Sequence, residues 1–287
     1  MSASRSEYRR LVKVGNSIYV SLPRGWVESK GLGSGSMVMA EVVEGGLLLK
    51  PLKGESEKAK ARRIEGGSAR DVIKAYLAGY EIIEVEKPAN DLLKGGLERL
   101  LKLLVGLEVV DESDKKLVLQ CFVRDGYDVK GVLSRMDSIS RSMYIDASAA
   151  LESGDTAALE SVRSRDDRLD RLYFLAVRLI RSAIQSPVVS GQERLFLVDA
   201  RLVAKLLEEI GDEAERMTYS TPASGLTETA KVVARCQEAV ISSFLRERAE
   251  VGCAEVLQSI SNSNISEGAR NHLFKISKLV MDLSELV

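Results

Sequence analysis

The chain holds a single histidine, His272, among its 287 residues. That excludes multi-histidine metal centres and argues against a Ser-His-Asp triad. Its three cysteines, Cys121, Cys236 and Cys253, make an odd number without CxxC spacing. A disulfide framework or a thiolate zinc site is therefore not expected, and a reducing, cytoplasmic setting fits. Aromatic residues are 5% and prolines number five, which points to a largely helical, aliphatic chain. No apolar run approaches 18 residues and no charged-then-apolar leader follows Met1, so neither membrane insertion nor classical secretion is expected. Neither GxGxxG nor GxxxxGK[ST] occurs, which removes the common phosphate-cradling loops.

What is present is ordinary globular composition, 45% hydrophobic and 29% charged, at a length that suits two or three domains. The net charge of −1 conceals an asymmetry. Residues 1–65 carry 12 basic and 7 acidic side chains, a balance of +5, whereas the remainder carries 29 and 35, a balance of −6. A basic piece joined to an acidic piece suggests one polyanion-facing and one cation-facing module. The alternative is charge scattered over solvated faces, and the motifs inside each piece must decide between them.

In the basic piece, Ile18, Val20 and Leu22 alternate with Tyr19 and Ser21, the period of a half-buried strand, just after a Gly15-Asn16 turn. Pro23 ends that strand and opens a short helix, Arg24 to Lys30, stopped by Gly31. Met37–Val43 and Leu47–Lys50 read as a hairpin across Glu44-Gly45-Gly46. Some fifty residues of short strands around one helical turn cannot bury a core alone, so this piece is expected to dimerise. The succession Val14-Gly15, Ile18 to Pro23, a helix closing on Gly31-Leu32, a turn at Gly35 and a last strand resembles the AbrB/SpoVT swapped-hairpin domain over about residues 8–51. The resemblance implies a homodimer whose interleaved hairpins form a small DNA-binding barrel, with contacts carried by Arg9, Arg10, Lys13 and Arg24. Positive charges on one short face are what phosphate contact and counterion release require. The sequence departs from the pattern at Gly25 and Trp26, where the family commonly has a second helix arginine, which counts against base-specific reading more than against DNA binding.

Residues 53–65 are polar and charged, a linker with a basic run at Lys58, Lys60, Arg62 and Arg63. Beyond it a small α/β unit is expected. It comprises a helix over Ala69–Leu77, a strand over Tyr80–Val85, a leucine-rich helix capped by Asn90-Asp91, and a hairpin of Leu107–Val110 with Leu117–Val123. The predicted domains are 1–52, 53–127 and 128–287.

From about Asp128 the apolar spacing is helical throughout. Helices are expected near Val132–Glu152, from Asp155-Thr156 to before Pro187, Gly191–Ser220, Leu226–Arg248, Gly252–Ser261 and Glu267–Val287, packed as an antiparallel bundle. Asp166 and Asp170 stand at i and i+4 on one helix, and Glu208 and Asp212 repeat the spacing on the next. Such pairs repel by a few tenths of a kcal/mol on a bare helix, and more when neighbours bring two together. Two explanations stand open. A hard or borderline cation such as Mg, Mn or Fe relieves the repulsion, or the acids are solvated or paired with Arg165, Arg168, Arg171 or Arg216.

The run Leu207-Glu208-Glu209-Ile210-Gly211-Asp212-Glu213-Ala214 to Met217, the upstream Asp166 to Tyr173, and Ala150 to Asp155 closely resemble the PhoU phosphate-uptake regulators over about residues 130–287. The resemblance implies three-helix bundles bearing acidic metal-binding motifs. It places a divalent or trivalent ion (Fe, Mn, Mg or Zn) on Asp166, Asp170, Glu208 and Asp212. In the second repeat a lysine replaces the first acid and leaves Asp282 alone, so one metal site per chain is expected, and His272 reads as a partly exposed helix residue. The fold class is multidomain: a swapped-hairpin β head, a short α/β unit and an all-α PhoU-like bundle. The function expected is non-enzymatic: a DNA-binding regulator of phosphate uptake, or an adaptor to a phosphate transporter or sensor kinase whose head only dimerises. A metal-dependent hydrolase would need a base or nucleophile beside the metal, and none is evident.

Overall fold

The computed structural model describes residues 7–43, 45–51, 59–87, 95–123, 126–186, 189–246 and 267–287. The chain divides into two compact units, Met1–Lys58 and Ala59–Val287.

The first unit is two hairpins and one short helix. β1 (Val12–Val14) pairs antiparallel with β2 (Ser17–Tyr19), Val12 opposite Tyr19. The tight reversal uses Gly15 at φ +61, a conformation that costs glycine nothing. Helix α1 (Arg24–Ser29) follows Pro23, and β3 (Val38–Val43) pairs antiparallel with β4 (Gly46–Pro51). The hairpins are separate two-stranded sheets. No described residue of this unit is buried, and apolar side chains on its strands lie open, Ile18 at 68% and Val42 at 86% exposure.

The second unit begins with an α/β layer. Strands β5 (Ala61–Ile64), β6 (Ile82–Glu86), β7 (Leu107–Glu112) and β8 (Lys116–Cys121) form one sheet in the order β5-β6-β8-β7. β5 and β6 are parallel, joined through α2 (Ala69–Leu77), and the remaining pairings are antiparallel. β5 lies inside the stretch expected to be linker. Its Ala-Arg-Arg-Ile text shows no clear alternation, because an edge strand with exposed arginines draws its order from the partner strand twenty residues on. Helix α3 (Leu97–Leu103) joins α2 over a core of Val72, Tyr76, Ile83, Val85, Leu104 and Leu119.

Among the described residues five long helices follow: α4 (Val129–Ser153), α5 (Thr156–Ile184), α6 (Gly191–Met217), α7 (Leu226–Arg246) and α8 (Glu267–Ser284). Each of the first three starts on a side-chain cap. Asp128 accepts from the Gly131 amide at 2.6 Å, Asp155 from Ala158 at 3.0 Å and Ser190 from Glu193 at 3.1 Å. These bonds satisfy amides that the helix itself leaves open. α4 packs against α5, α6 and α7, and α8 against α6 and α7, around a continuous aliphatic core. Within it one polar network is fully bonded: Gln237 donates to Asp137 Oδ1 and to Ser140 Oγ, both at 2.9 Å, and accepts from the Tyr144 hydroxyl at 3.1 Å.

The α/β layer is fastened to the bundle by a buried arginine. Arg178 of α5 donates to the carbonyls of Tyr76 near the end of α2 and of Tyr80 just beyond it, and its guanidinium lies 4.7 Å from the centre of the Tyr76 ring. Among the described cysteines, Cys121 is free and buried, and Cys236 is disulfide-bonded, contrary to the expectation from the odd count. Three cysteines always leave room for one pair. The expected helix at Gly252–Ser261, the Asn90-Asp91 cap and linker residues 53–58 lie outside the described residues.

Candidate functional site

Three acids of the bundle meet beside a tight contact between α5 and α6. Gly211 makes that approach possible: a β-carbon there would stand 2.1 Å from Leu169 Cδ2. The residues next to this contact are Asp170 on α5 and Asp212 on α6, and Asp166 lies one turn earlier on the same face of α5. Asp166, Asp170 and Asp212 each offer an oxygen within 4.8 Å of the others, at half-buried positions. Like charges at this spacing, partly withdrawn from water, make the two α5 carboxyls resist ionisation. Burial raises the Asp166 carboxyl to about 7, with Asp170 and Asp212 adding to the shift. Burial raises Asp170 to about 6, with Glu208 and Asp212 adding to it.

Glu208, the fourth predicted ligand, is not among the three. Its Oε2 accepts from Lys205 Nζ at 2.5 Å on the same helix, although its charge still bears on Asp170. Asp212 has a cationic partner too, accepting from Arg216 Nη2 at 3.0 Å. Each of the two α6 acids thus has a basic neighbour within one turn, whereas burial and the surrounding acids dominate at the two α5 positions. The donor set is entirely carboxylate oxygen, which fits a hard or borderline cation whose charge would remove the mutual repulsion.

Beside the cluster stands a residue that the spacing argument passed over. Glu213 is 5% exposed and accepts from Arg216 and Lys275, each at 3.0 Å, and lies 2.6 Å from His272 Nδ1. Burial opposes its ionisation, but the hydrogen bonds from Lys275, His272 and Arg216 outweigh it and hold its carboxyl below the ordinary value. His272 is therefore the partner of a buried acid on the neighbouring helix. The only sequence signal was that Glu213 sits in the same acidic run.

Residues 133–221 match the PhoU domain. The match runs from within α4 to just past α6, so the PhoU domain contains all four predicted ligands and the Gly211–Leu169 contact. PhoU domains are regulatory. A second match, to the antidote-toxin recognition MazE bacterial antitoxin family, covers residues 11–57 and agrees with the AbrB-like reading of the first unit. No curated protein and no solved structure matches the chain.

In that first unit Arg9 and Arg10 precede β1, Lys13 is the middle residue of β1, and Arg24 opens α1. All four are exposed. Arg9 is paired with Glu7, and Arg24 donates to Glu28 at 2.8 Å. The Lys60–Arg63 run belongs to β5 and its approach, where Arg62 lies 5.8 Å from the centre of the Tyr80 ring and Arg63 bonds Glu86. No helix among the described residues is long and apolar enough to cross a membrane.

Proposed function

We propose that the protein is a DNA-binding regulator of phosphate homeostasis, with a dimeric N-terminal head and a PhoU domain that holds a metal ion. The observation that carries the head's role is a β unit with no buried residue among those described, exposed apolar strands and four exposed cations. A second copy would supply the missing core and double the basic face, and counterion release from DNA phosphates would supply the affinity. In the PhoU domain, Asp166, Asp170 and Asp212 would hold a divalent or trivalent cation (Mg, Mn, Fe or Zn), with Glu208 joining on leaving Lys205. The bound ion would supply charge neutralisation across α5 and α6, and so a difference in affinity between two arrangements of the bundle, which any control of the head requires. No catalytic base or nucleophile is assigned. The test is fluorescence anisotropy on phosphate-transport promoter DNA at several salt concentrations. Binding that weakens log-linearly with salt supports the proposal, and no binding even at low salt overturns it.

The second reading is an adaptor that docks on a phosphate transporter or sensor kinase, with a head that only dimerises. The pairing of Arg9 with Glu7 and of Arg24 with Glu28 favours it, since both arginines already have acidic partners. Under it, Arg9→Ala combined with Arg24→Ala leaves phosphate control in cells unchanged. Under the first, the same variant loses DNA affinity and control together.

A further inference from the structure

Several arginines of α4 and α5 have acidic partners. Arg141 bonds Asp137 and Glu238, Arg163 bonds Glu160, and Arg165 bonds Asp146 and the Ser142 hydroxyl. Arg135 of α4 and Arg168 and Arg171 of α5 differ. Among the described residues they form no hydrogen bond or ion pair, yet all three line one cavity of about 500 Å³. The reach of Arg165 to Ser142 and Asp146 marks the antiparallel register of the two helices. The same register brings Arg135 level with Arg171, and Ser138 level with Arg168. No acid lines the cavity among the described residues, and Asp167, four positions before Arg171, makes no ion pair with it. The rest of the lining is apolar, Val105, Ile139, Leu172 and Leu175, together with the exposed Tyr127 and Ser138. By the helical period this face of α5 lies opposite Asp166 and Asp170, so these cations do not serve the carboxylate cluster.

Three guanidinium groups around one hollow, with no counter-charge beside them, set up a positive potential that an anion relieves. Each planar fork matches two oxygens of a phosphate. An inorganic ion would leave the apolar lining facing water. The volume instead falls in the range of small-molecule pockets, about 300–1,000 Å³, and suits a ligand with a body as well as a charge. We propose that the α4–α5 cavity is a nucleotide-binding site, with the phosphates on Arg135, Arg168 and Arg171 and the base against Tyr127 and the apolar side chains. A planar base stacks on an aromatic face whatever its identity. The Ser138 hydroxyl can donate to or accept from the sugar. The missing acids fit the same ligand, since a carboxylate in this lining would repel the phosphates. The site owes nothing to the metal reading of the opposite face.

Isothermal titration of the full-length protein in chelator, which keeps cations off the carboxylate cluster, tests this. The probes are ADP, GDP, adenosine and inorganic pyrophosphate. The proteins are the parent, Arg168→Gln/Arg171→Gln, Arg135→Gln and Tyr127→Ala. At least one nucleotide is expected to bind tenfold or more tightly than pyrophosphate, and adenosine to give no measurable heat. The arginine variants change exposed side chains on two different helices, and each should weaken the nucleotide at least tenfold with the melting temperature kept. Tyr127→Ala should weaken the nucleotide and leave pyrophosphate unchanged. Binding of neither nucleotide, or nucleotide affinity unchanged in both arginine variants, overturns the proposal. Pyrophosphate bound as tightly as the nucleotides overturns it in favour of an inorganic-anion site. A parent that binds neither nucleotide, while Arg168→Gln/Arg171→Gln loses affinity for promoter DNA, overturns it in favour of a DNA-facing surface.

Discussion

Gly211 and Leu169 are in contact across the α5–α6 crossing so tightly that no β-carbon fits at position 211. The closeness of two helices thus sets the closeness of the carboxylates. In Gly211→Ala the gain of up to about 1 kcal/mol in helix propensity is outweighed by overpacking of about 1–3 kcal/mol, because the obstructing atom belongs to a fully buried leucine. The variant is expected to melt lower and to bind metal at least tenfold more weakly, as Asp212 moves away from Asp166 and Asp170. Thermal unfolding and metal titration of the same preparation check both. Unchanged metal affinity in a destabilised protein would show that the cluster does not depend on this contact.

The raised carboxyls give the metal-free protein an unusual pH dependence. With Asp166 near 7 and Asp170 near 6, against an ordinary 3.8, the folded chain retains protons that the unfolded chain has released. The contribution of these groups to stability is therefore fully present below the unfolded value and is lost as pH rises through the folded values. In chelator, the melting temperature is expected to fall as pH rises from about 5 to about 7.5. Asp166→Asn with Asp170→Asn should flatten that slope, and saturating Mg²⁺ should remove it. Calorimetric scans across that range measure the effect, and an identical slope in the double variant would assign it to other groups.

Legibility in the sequence followed the range of the interactions. Asp166, Asp170 and Asp212 could be picked out because the helical period places them, and the apolar positions around them, on defined faces. Glu208 obeys the same period, but its pairing with Lys205, rather than with the α5 acids, is a choice between two partners that spacing cannot rank. The union of Glu213 with His272 and Lys275 joins residues about sixty apart, and nothing local marks it. β5 was hidden for a related reason, since its Arg62 and Arg63 read as linker until β6 supplies the pairing.

Arg178 is expected to be the residue on which the α/β layer depends. It is 7% exposed, and its guanidinium serves the carbonyls of Tyr76 in α2 and of Tyr80 just beyond it. Arg178→Met keeps an unbranched apolar stem but removes those donors and the guanidinium's contact with the Tyr76 ring, a cost of about 1–3 kcal/mol. The loss should be local, because the bundle core has its own apolar cluster. Hydrogen exchange is predicted to speed up at Ala75–Tyr80 and in β6, with α4 and α6 unchanged. Uniform acceleration across the chain would mean that the two layers unfold as one.

The head's open strands carry the last prediction. Two-stranded ribbons are marginal in water, and a unit whose described residues are all at least partly exposed needs apolar surface from elsewhere. Val42 and Ile18, one on each hairpin, are exposed enough to supply it. Replacing both by Asp places charge in any interface built from these strands, which costs several kcal/mol when the charge is unpaired and desolvated. Sedimentation equilibrium of the full chain is expected to show the parent as a dimer and Ile18→Asp/Val42→Asp as a monomer at micromolar concentration. DNA affinity should fall in parallel, because each copy then brings only its own Arg9, Arg10, Lys13 and Arg24 to the phosphates. A variant that stays dimeric would move the interface to the second unit. One that becomes monomeric yet keeps full DNA affinity would separate dimerisation from binding.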